Sequence, residues 1–508
     1  MRGKVYLVGA GPGDPELLTL KGARCLAEAD VIVYDRLIDD RLIEKASSQG
    51  ELIYVGKKAG QHTLHQSKIN KLLVIKAREG KTVVRLKGGD PFLLGRGGEE
   101  AEALVNADIP FEVVPGVSSA IAVPAYAGIP VTHRNMASSV AIVTGHEDPT
   151  KADSSIAWDK LSTGVDTLVF LMGMGNLEQI VKQLVKNGRP PSTPVAIIRE
   201  GTSPRQQTLV GTLADIAAKA SRCGFEAPAL IVVGEVVSLR KQLRWFDNQP
   251  IFGKRVLVTR SRKQASSLSQ LLARHGALPI ELPTIEVQAI SDNVELDRAI
   301  TNLRDYSWLI FTSANGVEIF FSRLLESGRD SRDLCEVKLC VIGPATAAAL
   351  GRYGLVADCI PPEYLAEAIA DCLREENIAG RRILMARAES VPPELVNKLT
   401  QLGAIVDELA LYRTVPAGIS ATDASQMLLA GQIDITTFTS SSTVKNLVSM
   451  LGKNGEVVNR TRVACIGQVT AATAARLGVR VDVVAKEHTI PGLVQAIIED
   501  YQKNKETP

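Results

Sequence analysis

The sequence predicts an α/β fold in two halves, the second built from a duplicated unit, and three observations carry that expectation. Strand-length apolar runs alternate with helix-period stretches along the chain. The alternation stops at Trp245-Phe246-Asp247-Asn248-Gln249-Pro250 and restarts at Arg255-Val256-Leu257-Val258-Thr259-Arg260, which puts a linker near 246–252. Beyond that break, short segments recur in one order at nearly one spacing.

The runs Val5–Val8, Val31–Tyr34, Val83–Leu86, Val140–Thr144, Leu168–Leu171 and Ile231–Gly234 read as strands, and Leu17–Ala29 as a helix. In the second half Arg255–Arg260 aligns with Arg382–Arg387, Gly276-Ala277 with Gly403-Ala404, and Phe311-Thr312-Ser313 with Phe438-Thr439-Ser440, all at a spacing of 127. Val341–Thr346 then aligns with Cys465–Thr470 at 124, a shift that a loop change accounts for. With only two units, this is a two-lobed duplication and not a solenoid.

At 508 residues the chain exceeds one ordinary core and calls for about three to four domains. Charge is nearly balanced, 58 basic against 56 acidic residues, so neither nucleic acid nor an anionic membrane is expected as a partner. No apolar run is long enough to span a bilayer, and the start lacks a signal-peptide pattern. The seven cysteines form no Cys-x-x-Cys pair and have no histidine cluster beside them. They read as reduced core residues of a cytoplasmic protein with no metal site.

Two glycine turns follow strands directly: Gly9-Ala10-Gly11-Pro12-Gly13-Asp14-Pro15 and Lys87-Gly88-Gly89-Asp90-Pro91-Phe92. With Asp35 closing the next strand, the first invites a dinucleotide-dependent oxidoreductase. Asp14 argues against it, because it stands where a third glycine is needed and would share a helix N-terminus with the pyrophosphate. Pro12 has no N–H for a phosphate. A cofactor with adenosine but no phosphate fits better. Asp14 is equally well read as an N-cap before Pro15, and Asp35 as a turn residue.

The segments VGAGPGDPELLTLKG, VVRLKGGDPFLLGRGGEE, FEVVPGVSSA, AGIPVTHR and VTGH resemble uroporphyrinogen-III C-methyltransferases, and the likeness runs through about residues 2–246. The resemblance implies a dimeric, two-lobed tetrapyrrole methyltransferase in residues 1–248, with lobes of about 1–114 and 115–248. It implies S-adenosyl-L-methionine between the lobes, lined by Pro12, Gly88, Gly89, Asp90, Leu93, Ser118, Ser119, Met172 and Gly201. Ser118-Ser119 and Leu93 depart mildly from the family's usual residues. Asp35 and Lys57 match the family's proton acceptor and donor, and the methyl groups go to C2 and C7 to give precorrin-2. The substrate's eight carboxylates call for a basic patch, for which Arg85, Lys87, Arg96, His133 and Arg134 are candidates.

The second half, with VLVTR, LIFTSANGV, CVIGPATAAAL, ALYRTVP, TFTSSSTV and ACIGQVTAAT, resembles uroporphyrinogen-III synthases over residues 251 to about 500. That resemblance implies duplicated parallel α/β lobes in residues 249–508, one holding 251–284 with 414–508 and the other 287–411. The implied reaction closes hydroxymethylbilane with loss of water and needs no cofactor. Ser313, Thr346, Ser440 and Thr470 are the expected carboxylate-binding donors of the paired turns, and ordinary helix capping explains the same residues. Tyr412 matches the tyrosine that helps the hydroxyl leave. The product serves sirohaem or cobalamin, and the sequence does not choose between them.

Overall fold

Apolar runs too continuous for a sheet wetted on one side become strands covered on both faces. The computed structural model describes all residues except 1–2, 45–49, 57–64, 147–154, 260–261, 362–365, 390–392, 417–422 and 507–508. The chain divides into two compact units, Met1–Arg255 with Leu272–Leu278 and Tyr501–Pro508, and Val256–Leu271 with Pro279–Asp500. The first unit opens with β1 (Lys4–Gly9), β2 (Val31–Tyr34), β3 (Glu51–Tyr54), β4 (Thr82–Lys87) and β5 (Phe111–Val114). These form a sheet of order β3-β2-β4-β1-β5, with every pair parallel. Val5, Leu7, Val31, Val33 and Val83 have no exposed surface. The chain leaves β1 to one side and β4 to the other, so the order reverses between these two neighbours. A crevice at the carboxyl ends of such strands is where open α/β sheets take ligands.

A second sheet in this unit holds β6 (Val140–Thr144), β7 (Thr167–Leu171), β8 (Pro194–Arg199), β9 (Gln207–Thr212) and β10 (Ala229–Val233) in the order β6-β7-β10-β8-β9. Only β6 and β7 pair in parallel; the other three ladders are antiparallel.

The second half carries two more sheets. One has the order β12-β11-β18-β19-β20, from β11 (Arg255–Val258), β12 (Leu278–Glu281), β18 (Ile435–Phe438), β19 (Arg462–Cys465) and β20 (Val483–Val484). The other has the order β13-β17-β16-β14-β15, from β13 (Ile285–Ala289), β14 (Trp308–Phe311), β15 (Lys338–Val341), β16 (Arg382–Ala388) and β17 (Ile405–Pro416). The sequence repeat reappears in their register. Val256 pairs with Ile435, and their counterparts Ile383 and Trp308 pair likewise. Ile435 pairs with Arg462 as Trp308 does with Lys338, which reproduces the spacings of 127 and 124. Each sheet therefore takes two strands from the other repeat: β11 and β12 join β18, β19 and β20, while β16 and β17 join β13, β14 and β15.

Three expectations change. The stretch Leu17–Ala29 is a short turn, Pro15–Leu17, followed by the helix Leu20–Ala27, because the Thr19 hydroxyl accepts from the Gly22 amide and starts the helix there. Residues 246–252 are not a polar tether. Phe246 and Ile251 are buried, and Phe246 packs edge-on against Tyr126 and Phe252. Among cysteines expected to be reduced, Cys359 and Cys372 are joined as a disulfide.

At the carboxyl edge of the first sheet three glycine backbones meet. A Cβ on Gly116 would lie 2.2 Å from the Gly89 carbonyl oxygen, and one on Gly9 would lie 2.5 Å from the Gly116 Cα. Gly89 itself has a φ of +67°, and its amide donates to the Gly11 carbonyl at 2.7 Å. By contrast, a Cβ on Gly98 in the first turn of the helix Gly97–Val105 would meet nothing within 4 Å. Overpacking against rigid backbone predicts that Gly116→Ala destabilises the chain by about 3 kcal/mol. Gly98→Ala should be neutral or stabilise by up to about 1 kcal/mol. Urea denaturation followed by circular dichroism checks both, and similar midpoints for the two variants would refute the crowding argument.

Candidate functional site

The turns after β1 and β4 face each other across the strand-order reversal, linked by the backbone bridge between Gly11 and Gly89. Each turn ends on an aspartate whose carboxylate accepts from backbone amides just beyond it, at the short helical turn Pro15–Leu17 for Asp14 and in the loop before the helix Gly97–Val105 for Asp90. Asp14 Oδ1 accepts from the Glu16 amide at 2.9 Å. Asp90 Oδ1 accepts from the amides of Phe92 and Leu93 at 2.8 and 3.1 Å, and its Oδ2 accepts from Gly116 at 3.0 Å. The amides of Glu16, Phe92 and Leu93 are thus taken by the protein's own carboxylates, which disfavours a phosphate beside them. A phosphate-free cofactor such as S-adenosyl-L-methionine is compatible with turns of this kind.

Asp14 also does something that capping alone does not predict. Its Oδ2 accepts from the Tyr126 hydroxyl at 2.8 Å, and its amide donates to the Thr202 hydroxyl at 3.1 Å. Tyr126 ends the helix Ser119–Tyr126, and Thr202 follows β8, so both contacts tie the first turn to elements of the second sheet's lobe. Burial, reinforced by the neighbouring Asp14 carboxylate, raises the Tyr126 pKa and keeps the phenol a donor. Neither Tyr126 nor Thr202 was singled out from the sequence, where each is an unremarked residue in a short motif.

The other expected lining residues fall around this seam. Ser118 is the N-cap of the helix Ser119–Tyr126 and accepts from the Ala120 amide at 3.2 Å. Ser119 begins that helix. Leu93 packs on the core of the second lobe, beside Ala120 and Val123. Met172, immediately after β7, has a φ of +58° and stays 54% exposed. Gly201 comes within 2.4 Å of Val123 at its Cβ position, so only glycine fits beside that helix. Pro12 and Gly88 are half-buried at the turns.

Asp35 follows β2, one strand over from β4. Its Oδ2 accepts from Arg85 Nη2 at 3.1 Å, its Oδ1 accepts from the Leu37 amide at 3.2 Å, and its side chain is 26% exposed. Arg85 and Lys87 were expected in a basic patch, and the structure places them elsewhere. They alternate on one face of β4, are 3% and 5% exposed, and both donate to Glu100 Oε1, at 3.2 and 3.0 Å. A cation buried on a sheet face needs an internal partner, and Glu100 supplies it. Burial, together with the neighbouring Arg85 cation, holds the Lys87 ammonium pKa below its usual range. Glu100 escaped the sequence reading, although it closes the GRGGEE segment. Arg96 is exposed and paired with Glu99 at 2.6 Å. His133 turns back on Ala137, and Arg134 is exposed. Lys57 lies outside the described residues.

In the second half Ser313 and Ser440 are N-caps of the helices Ala314–Glu326 and Ser441–Leu451, and their hydroxyls accept from Gly316 at 3.1 Å and Thr443 at 3.3 Å. Thr346 and Thr470 are 4% and 5% exposed, so neither offers a ligand much surface. Tyr412 on β17 is also buried, and its hydroxyl lies 2.8 Å from Ser313 Oγ. Burial raises the Tyr412 pKa, and the Ser313 bond only partly offsets this. Among the described residues no cluster of His, Cys, Asp and Glu could hold a metal ion, and no helix is long and apolar enough to cross a membrane.

Residues 4–217 match the Tetrapyrrole (Corrin/Porphyrin) Methylases family and residues 266–495 match Uroporphyrinogen-III synthase HemD. The Porphyrin biosynthesis protein HemD of Ruminiclostridium josui is 39% identical over 98% of this chain and 98% of its own length. The S-adenosyl-L-methionine-dependent uroporphyrinogen III methyltransferase of Methanosarcina barkeri is 57% identical, over 47% of this chain and 93% of its own. A crystal structure of Uroporphyrin III C-methyl transferase from Thermus thermophilus is 42% identical with a TM-score of 0.41, covering 47% of this chain and all of that one. The chain belongs to the family of porphyrin biosynthesis proteins that fuse an S-adenosyl-L-methionine-dependent uroporphyrinogen-III C-methyltransferase to a uroporphyrinogen-III synthase.

Proposed function

We propose that residues 249–508 close hydroxymethylbilane to uroporphyrinogen III with loss of water, and that residues 1–248 then methylate C2 and C7 of that product to precorrin-2. The placement of Asp35 carries this reading. It is a partly exposed carboxylate at the carboxyl end of β2, fixed by Arg85 and the Leu37 amide. S-adenosyl-L-methionine, when bound, supplies a methyl group already activated on a sulfonium. Pro12, Gly88, Gly89, Asp90, Leu93, Ser118, Ser119, Met172 and Gly201 would hold it. What remains for the protein is alignment and the removal of a proton from the methylated ring system, which falls to Asp35. In the second half the Tyr412 phenol, kept protonated by burial, donates to the departing hydroxyl while Ser313 holds its orientation. The exposed Arg96 and Arg134 and the half-buried His133 are the remaining candidates to meet the substrate's carboxylates. The enzyme works in the cytoplasm as a homodimer through its methyltransferase half.

Given hydroxymethylbilane and S-adenosyl-L-methionine and no other enzyme, the intact chain should yield precorrin-2, identified by mass and absorption. Recovery of only the isomer that forms spontaneously would overturn the synthase assignment and leave the methyltransferase standing. Asp35→Asn should retain S-adenosylhomocysteine binding while methyl transfer slows about a hundredfold. Wild-type turnover across pH would reduce Asp35 to a turn residue. Tyr412→Phe should slow cyclisation by a comparable factor of about a hundred without changing methylation of supplied uroporphyrinogen III. Undiminished cyclisation by this variant would remove the tyrosine from the mechanism.

A further inference from the structure

We propose that Glu100 is a positioning residue for methyl transfer: its carboxylate fixes the Arg85 guanidinium, and Arg85 in turn fixes Asp35. The inference rests on the reading of Asp35 as the proton acceptor. Glu100 stands on the helix Gly97–Val105 with no exposed surface. Its Oε1 accepts three donors, Arg85 Nε at 3.2 Å, Lys87 Nζ at 3.0 Å and Gln66 Nε2 at 3.0 Å. Its Oε2 meets no hydrogen-bond partner among the described residues. A carboxylate removed from water persists only where paired charge and hydrogen bonds replace its hydration. Three donors on one oxygen supply that replacement, and one of them commits the edge of the Arg85 guanidinium.

The rest of the guanidinium is committed as well. Nη1 donates to the carbonyls of Val33 at 3.3 Å and Leu86 at 2.9 Å, and Nη2 donates to Asp35 Oδ2 at 3.1 Å. A planar fork gripped along its edges transmits orientation from one carboxylate to the other in a way that an ammonium on a flexible stem does not. Of the two carboxylates, Glu100 is sealed and Asp35 still meets solvent. A neutral amide in place of Glu100 would leave Arg85 with one full anion in reach. The guanidinium would then be drawn onto Asp35, which turns the base away from its working direction without touching the cofactor turns.

The test measures steady-state methylation of uroporphyrinogen III by the full-length chain carrying Glu100→Gln, Asp35→Asn or both, with S-adenosylhomocysteine affinity as the measure of an intact cofactor site. Glu100→Gln should lower kcat about tenfold and leave the KM for S-adenosyl-L-methionine within about twofold of the parent. Added to Asp35→Asn it should cost nothing more, because its effect passes through the group already removed. If Glu100→Gln does not fold, Glu100→Asp keeps the charge, draws the carboxylate back by one methylene and should show the same pattern. Normal kcat in the Glu100 variant beside a slow Asp35→Asn would overturn the positioning role alone, as would losses that multiply in the double variant. Wild-type turnover of Asp35→Asn would overturn the base assignment and this inference with it.

Discussion

Three backbones meet at the carboxyl edge of the first sheet with no room between them for a methyl group, and the arrangement of the methyltransferase site follows from that contact. Gly9, Gly89 and Gly116 stand at or just beyond the ends of β1, β4 and β5. Their close approach draws the three turns together, and the Asp90 carboxylate then pins the Gly116 amide. Side chains at Gly9 and Gly116 would push the turns apart, while Gly89 holds a φ of +67° that favours glycine. The same crowding explains why both turns end on aspartate. Once the backbones are this close, the amides just beyond them need an acceptor, and a carboxylate one residue past the glycines is within reach.

Much of this was legible in the sequence because it is local. Glycine turns after strands and Asp-Pro pairs at the turn ends depend on neighbours a few residues apart, and the repeat shows as short local segments that recur in order. The errors arose where the deciding partner is distant or where burial decides. Arg85 and Lys87 read as a surface patch because charge normally means exposure, yet they alternate on one face of a strand covered on both sides. That spacing, followed by an acid on the next helix, was the available signal for Glu100, and it needs the strand to be recognised as interior. The 246–252 segment read as a tether from its Asp, Asn, Gln and Pro. Its Phe246 and Ile251 decided the outcome by packing on the first unit.

Near-neutral overall charge and acidic substrates are compatible in this chain because cations are divided between tasks. Arg85 and Lys87 are used internally, where each neutralises a carboxylate that the fold cannot leave unpaired. Arg96, paired with Glu99, and Arg134 remain at the surface. A count of basic residues beside a motif overstates a binding patch by the number that serve the interior.

The duplicated half shows how one residue can break a symmetry that the rest of the repeat preserves. Residues 278–289 and 405–416 are counterparts at the common spacing of 127, yet the second stretch is one strand of 12 residues and the first is two. Pro283 stands in the first stretch where Ala410 stands in the second. A proline offers no amide to a neighbouring strand, so the strand ends just before it, after the Leu282 amide donates to the Val258 carbonyl at 3.0 Å, and the chain resumes at Ile285 as part of the other sheet. In the second copy β17 runs on as one strand, pairs with β16 from Ile405 to Tyr412 with a register shift near its end, and receives β13 over Tyr412–Pro416. Tyr412 lies in that far end, paired with Ala289, and its counterpart in the first copy is Ile285. The serine caps occur in both lobes because duplication copied them. The tyrosine occurs once, on the strand that proline did not interrupt, so the two copies differ in side chain where they differ in backbone path.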